Sequence, residues 1–150
     1  MDLQELYKEV ILDHNKNPRN KGRVADANRH ASGYNPLCGD MVALTLHTEG
    51  DKVTEIAFDG EGCAISTASA SMMTEAIKGK TIEKAEEIFR AFQKMVTSQG
   101  EEPEISEALD EELHAFAGVR ALPVRIKCAI LPWHALHAAL AGEEKEVTTE

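Results

Sequence analysis

The sequence predicts a small α+β domain in which helices pack on one side of a three-stranded antiparallel sheet. Two observations support this class. Neighbouring segments in the first half alternate apolar and polar residues with period two, as half-buried strands do, while the segments around them repeat apolar residues at helical spacing. The element order is therefore helix, strands, then helices, and we expect residues 1–150 to form a single domain.

The first predicted element is an amphipathic helix that ends near Asn15. The polar residues 16–37 follow, and glycines and prolines interrupt them. This composition predicts a connection with room for a short edge strand inside it.

A hairpin is predicted from residues 41–49 and 53–59, with a three-residue turn at 50–52. Its apolar faces match when Leu44 lies opposite Phe58 and Leu46 lies opposite Ile56. Extended beyond the strands, the same register places Cys63 opposite Gly39. Because paired strands lie about 4.8 Å apart, Cys63 is expected beside Cys38 and Asp40.

Three further helical segments are predicted after the hairpin. Residues 65–78 form a closely packed helix that stops at Gly79, so that Cys63 stands just before its N-terminus. Thr81 caps the next helix, and Cys128 falls near the first turn of the last one, which Pro132 should kink. The apolar stripe of the helix after Thr81 consists of Ala85, Ile88, Phe89, Phe92, Met95 and Val96.

Two segments have polar compositions. Residues 101–112 hold seven acidic residues and no basic one, which indicates a solvated face or, alternatively, a docking surface. Residues 143–150 are predicted to be a disordered tail.

The formal net charge of −10 argues against nucleic acid or an anionic membrane as a partner, because both present negative phosphates. It would suit a partner with a basic face. The N-terminus shows no basic start followed by an apolar run, so we expect a cytoplasmic protein.

The odd number of cysteines, three, argues against a disulfide framework in this chain. Their wide spacing, with no paired Cys-x-x-Cys, favours burial over metal binding when spacing alone is considered. Three thiolates and the Asp40 carboxylate would nevertheless complete a tetrahedral zinc shell, although Asp40 could instead cap a turn. Arg125 and Lys127, which flank Cys128, and the helix N-terminus after Cys63 would favour thiolates there.

The segments around the cysteines resemble those of the IscU and NifU-type iron-sulfur cluster assembly proteins, over nearly the whole chain. The matching residues are Ile11, Asp13, His14, Asn17, Pro18, Asn20 and Gly22, then Asn35, Pro36, Cys38, Gly39 and Asp40, then Gly62, Cys63, Ile65, Ser66, Ala68 and Ser69, and finally Arg125, Cys128, Leu131 and Trp133. The resemblance implies a small α+β protein that works with a cysteine desulfurase and downstream cluster-assembly proteins.

The chain departs from the standard scaffold branch of that family at Lys127, where a histidine is usual. Its long, acidic interval between Cys63 and Cys128 looks like the insertion of the SufU branch, whose members resemble zinc-dependent sulfurtransferases. By this resemblance Cys38 is the sulfur acceptor, and Asp40, Cys63 and Cys128 are the other zinc ligands. Arg125 is expected to steady the anionic sulfur during transfer.

Two other functions stay open at this point. The chain could be a non-enzymatic scaffold on which an iron-sulfur cluster is built, with Asp40 keeping the cluster labile. It could also be a structural zinc domain that acts as an adaptor. The missing histidine at position 127 counts against the scaffold.

Overall fold

The chain folds into four α-helices, one 3-10 helix and four β-strands, in a computed structural model that describes residues 3–100, 102–143 and 146–148. In chain order these elements are α1 (Leu3–Lys16), β1 (Arg29–Asn35), β2 (Asp40–Glu49), β3 (Lys52–Glu61), α2 (Ala64–Ile77), α3 (Ile82–Thr97), the 3-10 helix (Glu111–Val119), α4 (Pro123–Leu140) and β4 (Glu146–Thr148). The predicted α+β class is confirmed.

The sheet has four strands in the order β3-β2-β1-β4, not the three that the sequence predicts. β1, β2 and β3 pair antiparallel, and β4 runs parallel to β1. The additional strand, Glu146–Thr148, falls in the segment for which the sequence predicts disorder, and residues 144, 145, 149 and 150 of that segment lie outside the described part. Val147 packs against the core, so backbone pairing and one apolar contact hold this strand. β1 is consequently an internal strand.

The β2–β3 hairpin has the predicted register, with Leu44 opposite Phe58 and Leu46 opposite Ile56. The turn is shorter than predicted, because Glu49 pairs with Lys52 and two residues remain between them. A bulge after His47 absorbs the difference of one residue. The apolar side chains of Leu44, Leu46, Ile56 and Phe58 are therefore all buried, as predicted.

The outer edge of β3 is covered by two segments from elsewhere in the chain. Phe58 N donates a hydrogen bond to Asn20 O at 3.0 Å, and Gly22 N donates to Phe58 O at 2.7 Å. At the other end of the strand, Val53 N donates to Lys80 O at 2.8 Å. An open strand edge would offer these groups to other chains, so this edge is protected.

The core lies between the inner face of the sheet and the helices. α2 and α4 pack on the sheet, while α1 packs on α2 and α3 packs on α4. Thr81 caps α3 as predicted, and all six residues of its predicted apolar stripe are buried. Phe92 of that stripe stacks on Trp133 at 4.4 Å and meets the ring of Phe116 edge-on. Among the described residues, the helices are too short or too polar to cross a membrane.

Candidate metal centre

Cys38 lies on the short loop that joins β1 to β2. Gly39 N donates a hydrogen bond to Asn35 O at 2.9 Å, and Leu37 N donates to the side-chain Oδ1 of Asn35 at 3.3 Å. Gly39 has a φ of +70°, a backbone conformation that glycine adopts without strain. The loop turns sharply there and leaves the Cys38 side chain exposed to solvent.

Asp40 begins β2 and is fully buried, with 0% of its surface exposed. Its Oδ1 accepts a hydrogen bond from Cys63 N at 2.8 Å. Its Oδ2 lies 3.3 Å from Asn35 Nδ2 and 3.8 Å from Cys63 Sγ. A buried carboxylate is unfavourable unless it is paired, hydrogen-bonded or bound to a metal. Asp40 therefore points one oxygen at the backbone and the other toward the thiols.

Cys63 is the N-cap residue of α2, and its Sγ accepts a hydrogen bond from Ser66 N at 3.4 Å. The sequence predicts that this position lowers the pKa of the Cys63 thiol. In the structure the pKa of this thiol is instead raised, because burial opposes ionisation more strongly than the hydrogen bond from Ser66 favours it. The nearby Asp40 raises it further.

Cys128 lies in the second turn of α4 and is 2% exposed. Its Sγ is 3.5 Å from Cys38 Sγ. Burial, followed by hydrogen bonding with Asp40 and Cys38, raises the pKa of the Cys128 thiol far above its usual range in the absence of metal. Pro132 has no N–H to donate to the carbonyl of Cys128, so the helix lacks one backbone hydrogen bond at this turn.

Three of the four predicted ligands form one cluster, because the donor atoms of Cys38, Asp40 and Cys128 all lie within 4.8 Å of one another. The fourth, Cys63, lies outside that cluster, but its Sγ is 3.8 Å from Asp40 Oδ2. Tetrahedral zinc places two sulfur ligands about 3.8 Å apart and a sulfur and an oxygen ligand about 3.5 Å apart. The distances of 3.5 Å between Cys38 Sγ and Cys128 Sγ and 3.8 Å between Cys63 Sγ and Asp40 Oδ2 are close to these spacings. The donor set fits zinc.

The sequence places Arg125 and Lys127 near Cys128, but Arg125 also acts on a residue of α1. Arg125 is exposed, and its charge acts on the hydroxyl of Tyr7 on α1. Burial raises the pKa of Tyr7, and Arg125 opposes this shift, while the charges of Cys63 and Cys128 add to it. Tyr7 therefore lies close to the thiols, a position that the apolar pattern of α1 does not reveal.

Like Tyr7, Asn35 lies close to the thiols, and the sequence pattern does not identify it as part of the centre. It is fully buried, and its Nδ2 lies 3.6 Å from Cys128 Sγ as well as near Asp40. Its position three residues before Cys38, in the segment Asn35-Pro36-Leu37-Cys38, is the signal that could have directed attention to it.

A second group of possible metal ligands lies away from the cysteines, at Asp13, His14 and Glu112. The buried His14 ring already has partners on both sides: Nδ1 is 2.8 Å from Ser71 Oγ and Nε2 is 3.2 Å from Glu112 Oε1. These contacts join α1 to α2 and to the 3-10 helix. The group is therefore explained by packing between elements.

Comparisons with known proteins agree with this picture of the fold. The family model of the NifU-like N-terminal domain matches residues 6–129. The zinc-dependent sulfurtransferase SufU of Bacillus subtilis (strain 168) is 49% identical over 143 residues, which cover 95% of this chain and 95% of that protein. The iron-sulfur cluster assembly scaffold protein IscU of Streptococcus pyogenes serotype M1 is 44% identical over 138 residues, covering 92% of this chain and 84% of that one.

A solved structure has the same fold as this chain. The crystal structure of FiSufU from the thermophile Fervidobacterium islandicum AW-1 superposes with a TM-score of 0.82 at 35% identity. The match covers 91% of this chain and 98% of the other. The sequence, the fold and the clustered cysteines together establish that this chain belongs to the family of NifU-like N-terminal domains.

Proposed function

We propose that this protein accepts sulfur from the persulfide of a cysteine desulfurase and passes it on during iron-sulfur cluster assembly. The main support is the difference in solvent exposure among the proposed ligands. The Cys38 thiol is exposed on a loop, whereas Asp40 and Cys128 are buried beneath it. One sulfur can therefore reach a partner while the rest of the centre stays packed. The zinc-dependent sulfurtransferase that shares 49% identity with this chain supports the same conclusion.

In this proposal Cys38, Asp40, Cys63 and Cys128 hold one zinc ion. When bound, zinc favours the deprotonated form of the thiols and moderates their nucleophilicity. The chain needs this help, because burial raises the pKa of both Cys63 and Cys128. Three thiolates and one carboxylate sum to −4, so the centre keeps a net charge of about −2 around a divalent ion.

The transfer step belongs to Cys38. Its thiolate attacks the outer sulfur of the desulfurase persulfide, a new S–S bond forms on Cys38, and the S–S bond of the persulfide breaks. The electron pair of that bond leaves with the desulfurase cysteine as a thiolate. The exchange needs no external oxidant or reductant, since the transferred sulfur keeps its oxidation state. Cys38 then holds the persulfide for the downstream acceptor.

Arg125 is proposed to stabilise the anionic sulfur during this exchange. Arg125 is exposed in the first turn of α4, three residues before Cys128. A charge-assisted hydrogen bond from arginine to an anion is stronger than a neutral one.

Exposed apolar side chains near Cys38 support the docking of a protein partner. Leu37, next to Cys38, is 60% exposed, and Met41, next to Asp40, is 55% exposed. Val124, next to Arg125, is 52% exposed. Such residues are typical of protein interfaces when they lie together. The net charge of −10 favours a partner with basic groups around its own active-site cysteine.

The scaffold function is the second candidate, because relatives at 44% and 35% identity are described as scaffold proteins. A third reading, a structural zinc adaptor, requires that the thiols never exchange. Elemental analysis and an absorbance spectrum of anaerobically purified protein separate the first two. We expect one zinc per chain and no visible colour, whereas bound iron with inorganic sulfide would support the scaffold.

Replacement of Cys38 tests the transfer proposal directly. Cys38→Ser should abolish the persulfide that wild-type protein gains from a desulfurase and cysteine, measured as the added mass of sulfur on the intact chain. Leu12→Ala is the control, since it removes an exposed apolar side chain of α1 and leaves every thiol and the proposed docking residues in place. Sulfur acceptance by Cys38→Ser at the wild-type level would rule out Cys38 as the acceptor.

A further inference from the structure

Asn35 occupies an unusual position for an amide side chain. It ends β1, lies directly opposite Asp40 in the ladder with β2, and has 0% of its surface exposed. A buried amide is unfavourable unless its donors and acceptor are satisfied. The hydrogen-bond partners of Asn35 therefore explain why an asparagine occupies this position.

The donor end of the Asn35 amide meets two of the proposed zinc ligands. Its Nδ2 lies 3.3 Å from Asp40 Oδ2 and 3.6 Å from Cys128 Sγ. An amide nitrogen has two hydrogens, so one group can serve both acceptors. Asp40 and Cys128 come from β2 and α4, and Asn35 fixes their distance from each other.

The acceptor groups of Asn35 hold the loop with the third ligand. Its Oδ1 accepts a hydrogen bond from Leu37 N at 3.3 Å, and its backbone oxygen accepts one from Gly39 N at 2.9 Å. These two bonds close the loop on either side of Cys38. One residue thus contacts two ligands directly and shapes the loop that presents another.

We infer that Asn35 is a positioning residue that preorganises Cys38, Asp40 and Cys128 for metal binding. The inference rests on the proposed zinc site. A neutral amide suits this role, since its N–H groups lower the repulsion between a carboxylate and a thiolate and add no charge of their own. Outer hydrogen-bond partners of metal ligands typically contribute tenfold to hundredfold in metal affinity.

Two variants separate the donor from the packing of the side chain. Asn35→Leu keeps the approximate volume of the side chain but removes its Nδ2 donor and Oδ1 acceptor, and it adds neither a charge nor a new metal ligand. Asn35→Ala removes the polar atoms and most of the volume. We expect both variants to bind zinc about tenfold to hundredfold more weakly than wild type, measured by competition with a chromophoric chelator. Their visible absorption with cobalt(II) in place of zinc should also shift, because the carboxylate and one thiolate lose their orientation.

Thr74→Ala is the matched control. Thr74 is equally buried, and its Oγ1 donates to Ser71 O at 2.7 Å and accepts from Asn20 Nδ2 at 3.0 Å, so it contacts no proposed ligand. The control should lower thermal stability and leave zinc affinity and the cobalt spectrum unchanged. Thermal unfolding of all metal-free proteins shows how much of each loss is general destabilisation.

The outcomes distinguish this inference from the proposed function. Wild-type protein that binds no zinc would refute the metal site itself. If wild-type protein binds zinc and Asn35→Leu has the same affinity and the same cobalt spectrum, the positioning role alone is refuted. Weaker binding in Asn35→Leu but not in Thr74→Ala supports it.

Discussion

Exposure to solvent differs among the three thiols. Cys38 is exposed, Cys63 is half-buried and Cys128 is 2% exposed. Burial also raises the pKa of Cys63 and Cys128, which lowers the fraction of each that is thiolate at neutral pH. Because the thiolate is the reactive form, poor access for reagents and a raised pKa both slow reaction at Cys63 and Cys128.

We therefore predict an order of alkylation in metal-free protein at mildly alkaline pH. Iodoacetamide should modify Cys38 first and Cys128 last, with rates at the buried thiols rising further as pH increases. Peptide mass spectrometry after timed quenching measures the order.

The same reaction in guanidinium chloride is its control, since all three thiols should then react at similar rates. Modification of Cys128 ahead of Cys38 in folded protein would contradict the arrangement of the centre.

The sequence predicted which proposed ligands come together better than it predicted what surrounds them, although the place of Cys128 rested mainly on the family resemblance. The hairpin register placed Cys63 beside Cys38 and Asp40 on physical grounds, and Cys63 N indeed donates to Asp40 Oδ1. The positions of Asn35 and Tyr7 depend on how β1 and α1 approach other elements. Periodicity along one segment cannot report such contacts.

At the scale of the element, β2 and β3 approach each other closely at Gly60. This residue has a φ of +129°, and a Cβ there would collide with the backbone oxygen of Met41. Gly22 has nearly the same φ, +127°, but a Cβ there would meet nothing within 4 Å. The pair therefore separates steric conflict from backbone strain.

We predict that Gly60→Ala lowers the free energy of unfolding by about 1–3 kcal/mol more than Gly22→Ala does. Urea denaturation followed by circular dichroism measures both. Equal losses in the two variants would mean that the strands can separate locally without cost. Because Gly60 lies opposite Val42, two residues from Asp40, its substitution should also weaken zinc binding.

Element types were predictable wherever a segment has a strong apolar period. The stripe of α3 and the register of the β2–β3 hairpin follow from such periods. β4 was not predictable, because its three residues include one apolar side chain, Val147, and its stability comes from pairing with β1. The bulge after His47 was also missed, since a one-residue irregularity leaves the apolar alternation before it unchanged.

At the scale of the whole molecule, the metal centre joins segments that are far apart in sequence. Cys38 and Cys128 are 90 residues apart, and Cys63 caps α2, which packs against α4. Most of the core, in contrast, lies between the sheet and the helices and does not involve the centre. Bound metal should add stability without being required for folding.

We predict that removal of zinc lowers the thermal midpoint and leaves the far-ultraviolet circular dichroism spectrum nearly unchanged. A site with free zinc at a thousand times its dissociation constant contributes about 4 kcal/mol, which vanishes on chelation. Thermal scans with and without a chelator measure the difference.

Re-addition of zinc should restore the midpoint, which controls for damage by the chelator. Complete unfolding on chelation would favour the structural adaptor. A single cooperative transition in both scans would support the prediction that residues 1–150 form one domain.

Trp133, stacked on Phe92 and hydrogen-bonded to Ser69, is the sole tryptophan of the sequence. Its indole is shielded from water, so its emission should be blue-shifted in the native state and move to longer wavelength when the contacts between α2, α3 and α4 open. Ser69 also bonds the carbonyl next to Cys128, which links this chromophore to the metal-binding turn. The protein thus contains its own fluorophore, and the opening of its core after metal removal or in denaturant can be followed optically without any label.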